Sequence, residues 1–164
     1  MIKLILLDVD GTLTDGGIYR DNKGEEFKKF NVKDGYIIVN ACDLGIDFGI
    51  ITGKKSELVR IRSEELKMKY LYQGISEKTK ILEKILTETK LIKDEVAYMG
   101  DDLNDIHIMK KVGLTGAPKN AGKEVLDIAE FISKKNGGEG AVREFVEYIL
   151  KKDNKWEQFL DNVK

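Results

Sequence analysis

Asp8-Val9-Asp10-Gly11-Thr12 carries two carboxylates two residues apart, directly behind an apolar run. Residues two apart on an extended chain point to the same side. Asp8 and Asp10 can therefore face one substrate, one as nucleophile and the other as acid and base. Gly100-Asp101-Asp102 adds two more carboxylates behind another apolar run, and Asp105 follows shortly after. Clustered carboxylates repel one another unless a cation neutralises them, and oxygen donors suit Mg²⁺. A calcium loop starting at Asp8 would need a glutamate at its twelfth position. That position is Tyr19, so the calcium reading fails. Thr52-Gly53, behind Gly49-Ile50-Ile51, offers a hydroxyl to a phosphate oxygen, and Lys78 offers an ammonium. Singly these two are weak signals, because Thr-Gly is common turn chemistry and the chain is rich in lysine.

The elements that must position these groups follow from hydrophobic periodicity. Ile2 to Val9, Ile46 to Thr52 and Val96 to Met99 are nearly continuous apolar runs, as expected of buried parallel strands. Tyr70 to Tyr72, Leu114 to Gly116 and Ala129 to Ile132 are shorter strand candidates. Helical spacing recurs in Ile81, Leu82, Ile85, Leu86 and in Val142, Phe145, Val146, Ile149, Leu150. Weaker helices are expected near Gly35 to Leu44, Glu57 to Met68, Leu103 to Val112 and Gly122 to Leu126. The alternation predicts an α/β fold, a Rossmann-like parallel sheet with helices on both faces. Ligands bind such sheets outside the carboxyl ends of the strands. Asp8, Asp10, Thr52, Asp101 and Asp102 all stand there. Ordinary loop formation explains any one of these acids, but poorly explains all of them following buried strands.

One segment breaks the alternation. Residues 12–31 hold two turn-rich stretches, Asp15-Gly16-Gly17 and Asp21-Asn22-Lys23-Gly24, with Ile18-Tyr19-Arg20 and Glu26-Phe27-Lys28-Lys29-Phe30 around the second. This predicts a protruding β-hairpin. The 164 residues fit one domain, with the hairpin at 12–31 and a C-terminal tail at 153–164. The tail carries Trp156, Phe159, Leu160 and Val163 at helical spacing. The 28 basic residues nearly balance 29 acidic ones, which gives no pull toward nucleic acid or a membrane surface. No apolar run approaches the ~20 residues of a membrane span, and Met1-Ile2-Lys3-Leu4 opens no secretory signal, so a cytoplasmic protein is expected. Cys42 is the only cysteine and excludes an internal disulfide, while His107, the only histidine, reads as a surface or packing residue.

Asp-x-Asp-Gly-Thr, then apolar-Thr-Gly, then Lys78, then Gly-Asp-Asp-x-x-Asp resembles the haloacid dehalogenase superfamily of phosphatases. A response-regulator receiver uses similar residues, but there the acidic pair comes early and the lysine last. The stretches Asn31-Val32-Lys33-Asp34-Gly35-Tyr36, Leu71-Tyr72-Gln73-Gly74, Gly100-Asp101-Asp102-Leu103-Asn104-Asp105 and Gly137-Gly138-Glu139-Gly140-Ala141-Val142-Arg143-Glu144 resemble, more closely, the 3-deoxy-D-manno-octulosonate 8-phosphate phosphatases. Nonulosonate 9-phosphate phosphatases share most of these motifs.

The resemblance implies a capless fold and a Mg²⁺-dependent phosphatase of a sugar-acid phosphate, acting in lipopolysaccharide biosynthesis. It implies Asp8 as nucleophile, Asp10 as acid and base, and Thr52 and Lys78 on the phosphoryl oxygens. Mg²⁺ would be held by Asp8, the Asp10 backbone carbonyl and Asp101, with Asp102 and Asp105 orienting metal waters or Lys78. Substrate contacts would come from Asp10, Asn31, Val32, Lys33, Asp34, Gly35, Lys54, Arg62 and Lys78. The resemblance further implies a homotetramer whose hairpins close neighbouring sites. Lys33 and Lys54 stand where the octulosonate enzymes usually have arginine, Val39 stands where they have a substrate-contacting arginine, and Glu139 stands in their Gly-Gly-Arg-Gly. Glu139 is similar to the nonulosonate branch, whereas Asn31 to Gly35 stays nearer the octulosonate branch. A reading of another class is a catalytically weak binding or regulatory module associated with a cytidylyltransferase.

Overall fold

Strand β1 (Leu4–Leu7) has no solvent contact on either face, which explains why its sequence is apolar without alternation. It sits near the centre of a six-stranded parallel sheet, here described from a computed structural model covering residues 1–163. Two short antiparallel strands follow it, β2 (Tyr19–Arg20) and β3 (Glu26–Phe27), then helix α1 (Val32–Ala41) and β4 (Asp47–Ile51). Helix α2 (Glu57–Glu65), β5 (Tyr70–Tyr72), α3 (Lys78–Thr89) and β6 (Val96–Met99) continue the alternation. The chain then forms α4 (Ile106–Met109), β7 (Leu114–Ala117), α5 (Lys123–Leu126), β8 (Phe131–Ile132), α6 (Ala141–Lys152) and α7 (Trp156–Asn162). The sheet order is β5-β4-β1-β6-β7-β8.

The two faces of β1 feed two cores. Ile5 and Leu7 point toward α1, α2, α6 and α7, where Ile37, Ile38, Val59, Phe145, Ile149 and Phe159 are buried. Leu4 and Leu6 point toward α3, α4 and α5, where Leu82, Ile85, Ile108 and Val125 are buried. Each fully buried aliphatic side chain stabilises the fold by roughly 1.5–3 kcal/mol. The two layers hold the strand ends rigid, and the site depends on that.

Local chemistry moved several boundaries from their expected places. Helix α1 starts at Val32, earlier than expected, because the Asn31 side chain accepts the Lys33 N–H at 2.9 Å and caps it. The strand expected over Ala129 to Ile132 shrinks to two residues. The Ala129 N–H is taken by the Val125 carbonyl and the Glu130 N–H by Thr115 Oγ1, so neither joins the sheet. Helix α7 packs on α6 and α1, and Lys155 Nζ donates to the Leu44 carbonyl at 2.8 Å. Leu44 precedes β4, so within the chain the tail lies toward the sheet edge opposite the strand carboxyl ends. Among the described residues no helix is long and apolar enough to cross a membrane.

The expected hairpin forms, with Tyr19 paired to Phe27 and Arg20 to Glu26. Asp21 closes its turn by accepting the N–H groups of Lys23 and Glu25. An antiparallel bridge between Thr14 and Phe30 ties its base to the loop after β1.

Candidate active site

The loop leaving β1 is shaped by close backbone approaches. The Asp8 N–H still donates to the Met99 carbonyl at 3.0 Å, which extends the sheet by one residue and buries the Asp8 side chain. Gly11 has φ +91°, and a Cβ there would lie 2.0 Å from Asp101 Oδ2, so no other residue fits between the two acidic loops. Gly137 presses on the same turn from the C-terminal side. A Cβ on it would sit 1.8 Å from the Gly11 carbonyl oxygen, which explains part of the Gly-Gly-Glu-Gly stretch. Thr12 Oγ1 donates to Asp101 Oδ1 at 3.1 Å and links the loops after β1 and β6.

Lys78 opens α3 and reaches under the carboxylates, with 4% of its surface exposed. Its ammonium has three donors. They meet Asp8 Oδ1 at 2.9 Å, Asp105 Oδ1 at 2.7 Å and the Tyr98 hydroxyl at 3.0 Å. Asp105 is fully buried and saturated. Its Oδ1 also accepts the Tyr98 hydroxyl at 2.6 Å, and its Oδ2 accepts the Asp101 and Asp102 N–H groups at 2.9 and 3.2 Å. Asp102 is exposed and accepts the Leu103 N–H. Asp8, Asp10, Thr52, Gly53, Lys54, Asp102 and Asn104 line a cleft of about 210 Å³.

Carboxylate oxygens of Asp8, Asp101 and Asp105 lie within 4.8 Å of one another. Burial, then the charge of Asp105, pushes the Asp8 carboxyl up to about 6 against the pull of Lys78. Burial and the charges of Asp8 and Asp105 push Asp101 up to about 7. Burial alone would lower the Lys78 ammonium, but Asp8 and Asp105 outweigh it and hold Lys78 above its ordinary value. One ammonium is too little charge for this cluster. Asp105 has no lone pair to spare, so a cation here would take its oxygens from Asp8 and Asp101. That hard-oxygen pair fits Mg²⁺.

The expected substrate residues divide. Lys54 lies in the cleft, whereas Asn31 to Gly35 sit at the start of α1. Val32 and Lys33 are exposed there and line a groove with Tyr36, Glu139 and Arg143. Asp34 is buried, and its Oδ1 accepts the Arg143 N–H at 2.7 Å, clamping α1 to α6. Burial pushes the Asp34 carboxyl up to about 6, against that hydrogen bond and the guanidinium groups of Arg62 and Arg143. Gly35 leaves room for Arg62, whose guanidinium would stand 2.5 Å from a Cβ there. Arg62 stacks over Phe30, with 5.5 Å from Cζ to the ring centroid, and lines a second groove with Lys28, Asn31 and Val32.

Tyr98 and Lys28 escaped the sequence reading. Tyr98 sits inside an apolar strand run that hides its hydroxyl, and nothing in the sequence separates Lys28 from other lysines. Lys28 Nζ donates to Asp10 Oδ1 at 2.7 Å, and its side chain is only 5% exposed.

A parallel α/β sheet presenting Asp-x-Asp, Thr, Lys and Gly-Asp-Asp at its carboxyl edge defines a haloacid dehalogenase-like hydrolase. A sequence profile of haloacid dehalogenase-like hydrolases matches residues 71–146. The 3-deoxy-D-manno-octulosonate 8-phosphate phosphatase of Escherichia coli K12 is 44% identical over 149 residues, 91% of this chain and 79% of that protein. The chain belongs to the family of 3-deoxy-D-manno-octulosonate 8-phosphate phosphatases. The Moraxella catarrhalis enzyme of that name, solved with magnesium, phosphate and 3-deoxy-D-manno-octulosonate (KDO), superposes with a TM-score of 0.94 at 36% identity, covering 98% of this chain and 92% of that one. The cobalt-bound Haemophilus influenzae enzyme gives 0.89 at 32% identity, over 94% and 91% of the two chains.

Proposed function

We propose that this chain hydrolyses 3-deoxy-D-manno-octulosonate 8-phosphate to the free sugar acid and phosphate in the cytoplasm. The observation carrying the reading is the Lys78 ammonium, held by Asp105 and Tyr98 against Asp8. That arrangement sets a fixed positive charge beside a buried nucleophile. An Asp8 oxygen attacks phosphorus, and the ester bond to the sugar oxygen breaks. Asp10 gives the departing oxygen a proton, then takes one from the water that cleaves the aspartyl-phosphate, which restores Asp8. Thr52 and Lys78 bind the phosphoryl oxygens and stabilise their charge in the transition state. Mg²⁺, held by Asp8, Asp101 and the Asp10 backbone carbonyl, supplies further positive charge to those oxygens when bound. Asp102, exposed at the cleft, would orient metal waters, and the buried Asp105 supports from behind through Lys78.

The identity to octulosonate 8-phosphate phosphatases supports this substrate over others. Asn31, Val32, Lys33, Asp34, Gly35, Lys54 and Arg62 are assigned to reading the sugar acid, with Asp34 and Gly35 acting through backbone placement. Glu139 beside Lys33 and Arg143 favours a second reading, a nonulosonate 9-phosphate. Side-by-side turnover with Mg²⁺ is expected to favour the octulosonate 8-phosphate by at least about 10-fold in kcat/KM. Preference for a nonulosonate 9-phosphate would transfer the assignment. Absence of Mg²⁺-dependent phosphate release from any phosphomonoester would leave a binding module instead.

A homotetramer closing neighbouring sites is the proposed assembly. Ile18, Tyr19 and Phe27 on the hairpin and Val32 beside it are large exposed apolar side chains, which a partner subunit would cover. Shortening the segment from Asp15 to Phe27 is expected to lower both the assembly state, read by light scattering, and turnover of the sugar phosphate. A fully active monomer would refute this role.

A further inference from the structure

The hairpin does more than project from the sheet. Along its second arm Glu26 and Phe30 are half-buried and the Lys28 side chain is buried, while Phe27 and Lys29 are exposed. That is the period-two alternation of an extended chain with one inward face. The Thr14–Phe30 bridge pins the end of this arm against the loop after β1. Thr14 holds that loop in turn, accepting the N–H groups of Gly11 and Gly16 on its hydroxyl and donating its own N–H to the Val9 carbonyl. The inward Lys28 is thereby delivered to Asp10 Oδ1, with Glu26 Oε1 the next carboxylate at 3.6 Å.

We propose that Lys28 is a positioning residue for Asp10. An aspartate side chain can exchange its two oxygens by rotating its terminal torsion. A charge-assisted bond at 2.7 Å to an ammonium that is nearly sealed from water removes that freedom. Oδ1 is committed to Lys28, and Oδ2 is left to pass the proton to the leaving sugar oxygen and later to take one from water. A buried ammonium is costly without a carboxylate, and the bond to Asp10 at 2.7 Å is much closer than the Glu26 pair at 3.6 Å, which favours Lys28 on Asp10 while the hairpin is in place. The hairpin thus belongs to the acid–base apparatus as well as to the proposed subunit contact. This inference rests on Asp10 being the acid and base.

The test separates proton delivery from folding through the leaving group. A sugar alkoxide needs a proton to depart, whereas p-nitrophenolate leaves without one. Single-turnover phosphorylation of the Mg²⁺-loaded full chain is measured with octulosonate 8-phosphate and with p-nitrophenyl phosphate, for Lys28→Met, Lys28→Arg and Asp10→Asn. Lys28→Met is expected to slow the sugar phosphate about 30-fold or more and the aryl phosphate less than about 3-fold, part of what acid catalysis contributes. Lys28→Arg, which keeps the cation, should restore most of the sugar-phosphate rate. Equal slowing of both substrates, or no slowing, overturns the inference if Asp10→Asn is selective against the sugar phosphate. If Asp10→Asn shows no such selectivity, the assignment of Asp10 itself falls. Should Lys28→Met fail to fold, Lys28→Gln carries the same comparison.

Discussion

Asp8→Asn is expected to abolish turnover, by at least about 10⁴-fold, while the Mg²⁺-free protein at pH 8 should become more stable than its parent. The loss follows from the proposed chemistry, because an amide oxygen is too weak a nucleophile to form the aspartyl-phosphate. The gain follows from the electrostatics. Asp8 and Asp101 have folded-state values of about 6 and about 7, both raised from 3.8. A carboxyl whose value is raised on folding binds its proton more tightly in the native state. The stability these two groups contribute is then greatest at low pH and is lost as pH rises through about 6 to 7. Asparagine at position 8 keeps an oxygen for Lys78 but removes a buried charge and the charge that pushes Asp101 up. Thermal melts in chelator between about pH 5 and pH 8 should show a declining midpoint in the parent and a flatter one in the variant. Mg²⁺ at 100 times its Kd should raise the parent by about 2.7 kcal/mol, roughly 5–10 °C, with the larger gain at higher pH. Full activity in the variant would refute the nucleophile assignment. An equally steep decline with pH would refute the account of the cluster.

Asp105→Asn is the second large effect, and it costs stability as well as activity. Asp105 accepts four hydrogen bonds, two from Lys78 and Tyr98 on one oxygen and two from backbone N–H groups on the other. An amide has one acceptor end, so either orientation turns its NH₂ toward two donors. Each orphaned buried donor costs about 1–3 kcal/mol. Removing the Asp105 charge also relieves Asp8 and Asp101, which partly offsets this in the metal-free protein. With Mg²⁺ bound that relief vanishes, and a net loss of about 3 kcal/mol is expected, a fall of roughly 6–12 °C. Lys78 would lose its fixed position, and kcat should fall about 100-fold. A variant with normal melting and normal kcat would show that Asp105 is not the hub of the site.

Much of the architecture was legible because burial writes itself into sequence. β1, β4 and β6 are covered on both faces, so Ile2 to Val9, Ile46 to Thr52 and Val96 to Met99 read as nearly continuous apolar runs. The Thr12–Asn31 hairpin was legible from its turn residues. Boundaries such as Asn31 and Ala129 depended on single side-chain and backbone bonds that no periodicity encodes. Asp105 was ambiguous in sequence, since a helix-surface acid and a fully buried hub have the same spacing.

The sequence by itself brought Asp8, Asp10, Thr52 and Asp101 of the proposed reacting set together, because residues at the ends of buried strands must converge on one edge of a parallel sheet, whereas Lys78 joins them from the start of α3. Tertiary structure alone decided how those groups are held. Tyr98 joins the site because one face of β6 looks toward α3. Lys28 joins because the hairpin folds back over the loop after β1. Both are contacts between segments distant in the chain, made by side chains whose local sequence is that of an ordinary core tyrosine and an ordinary surface lysine.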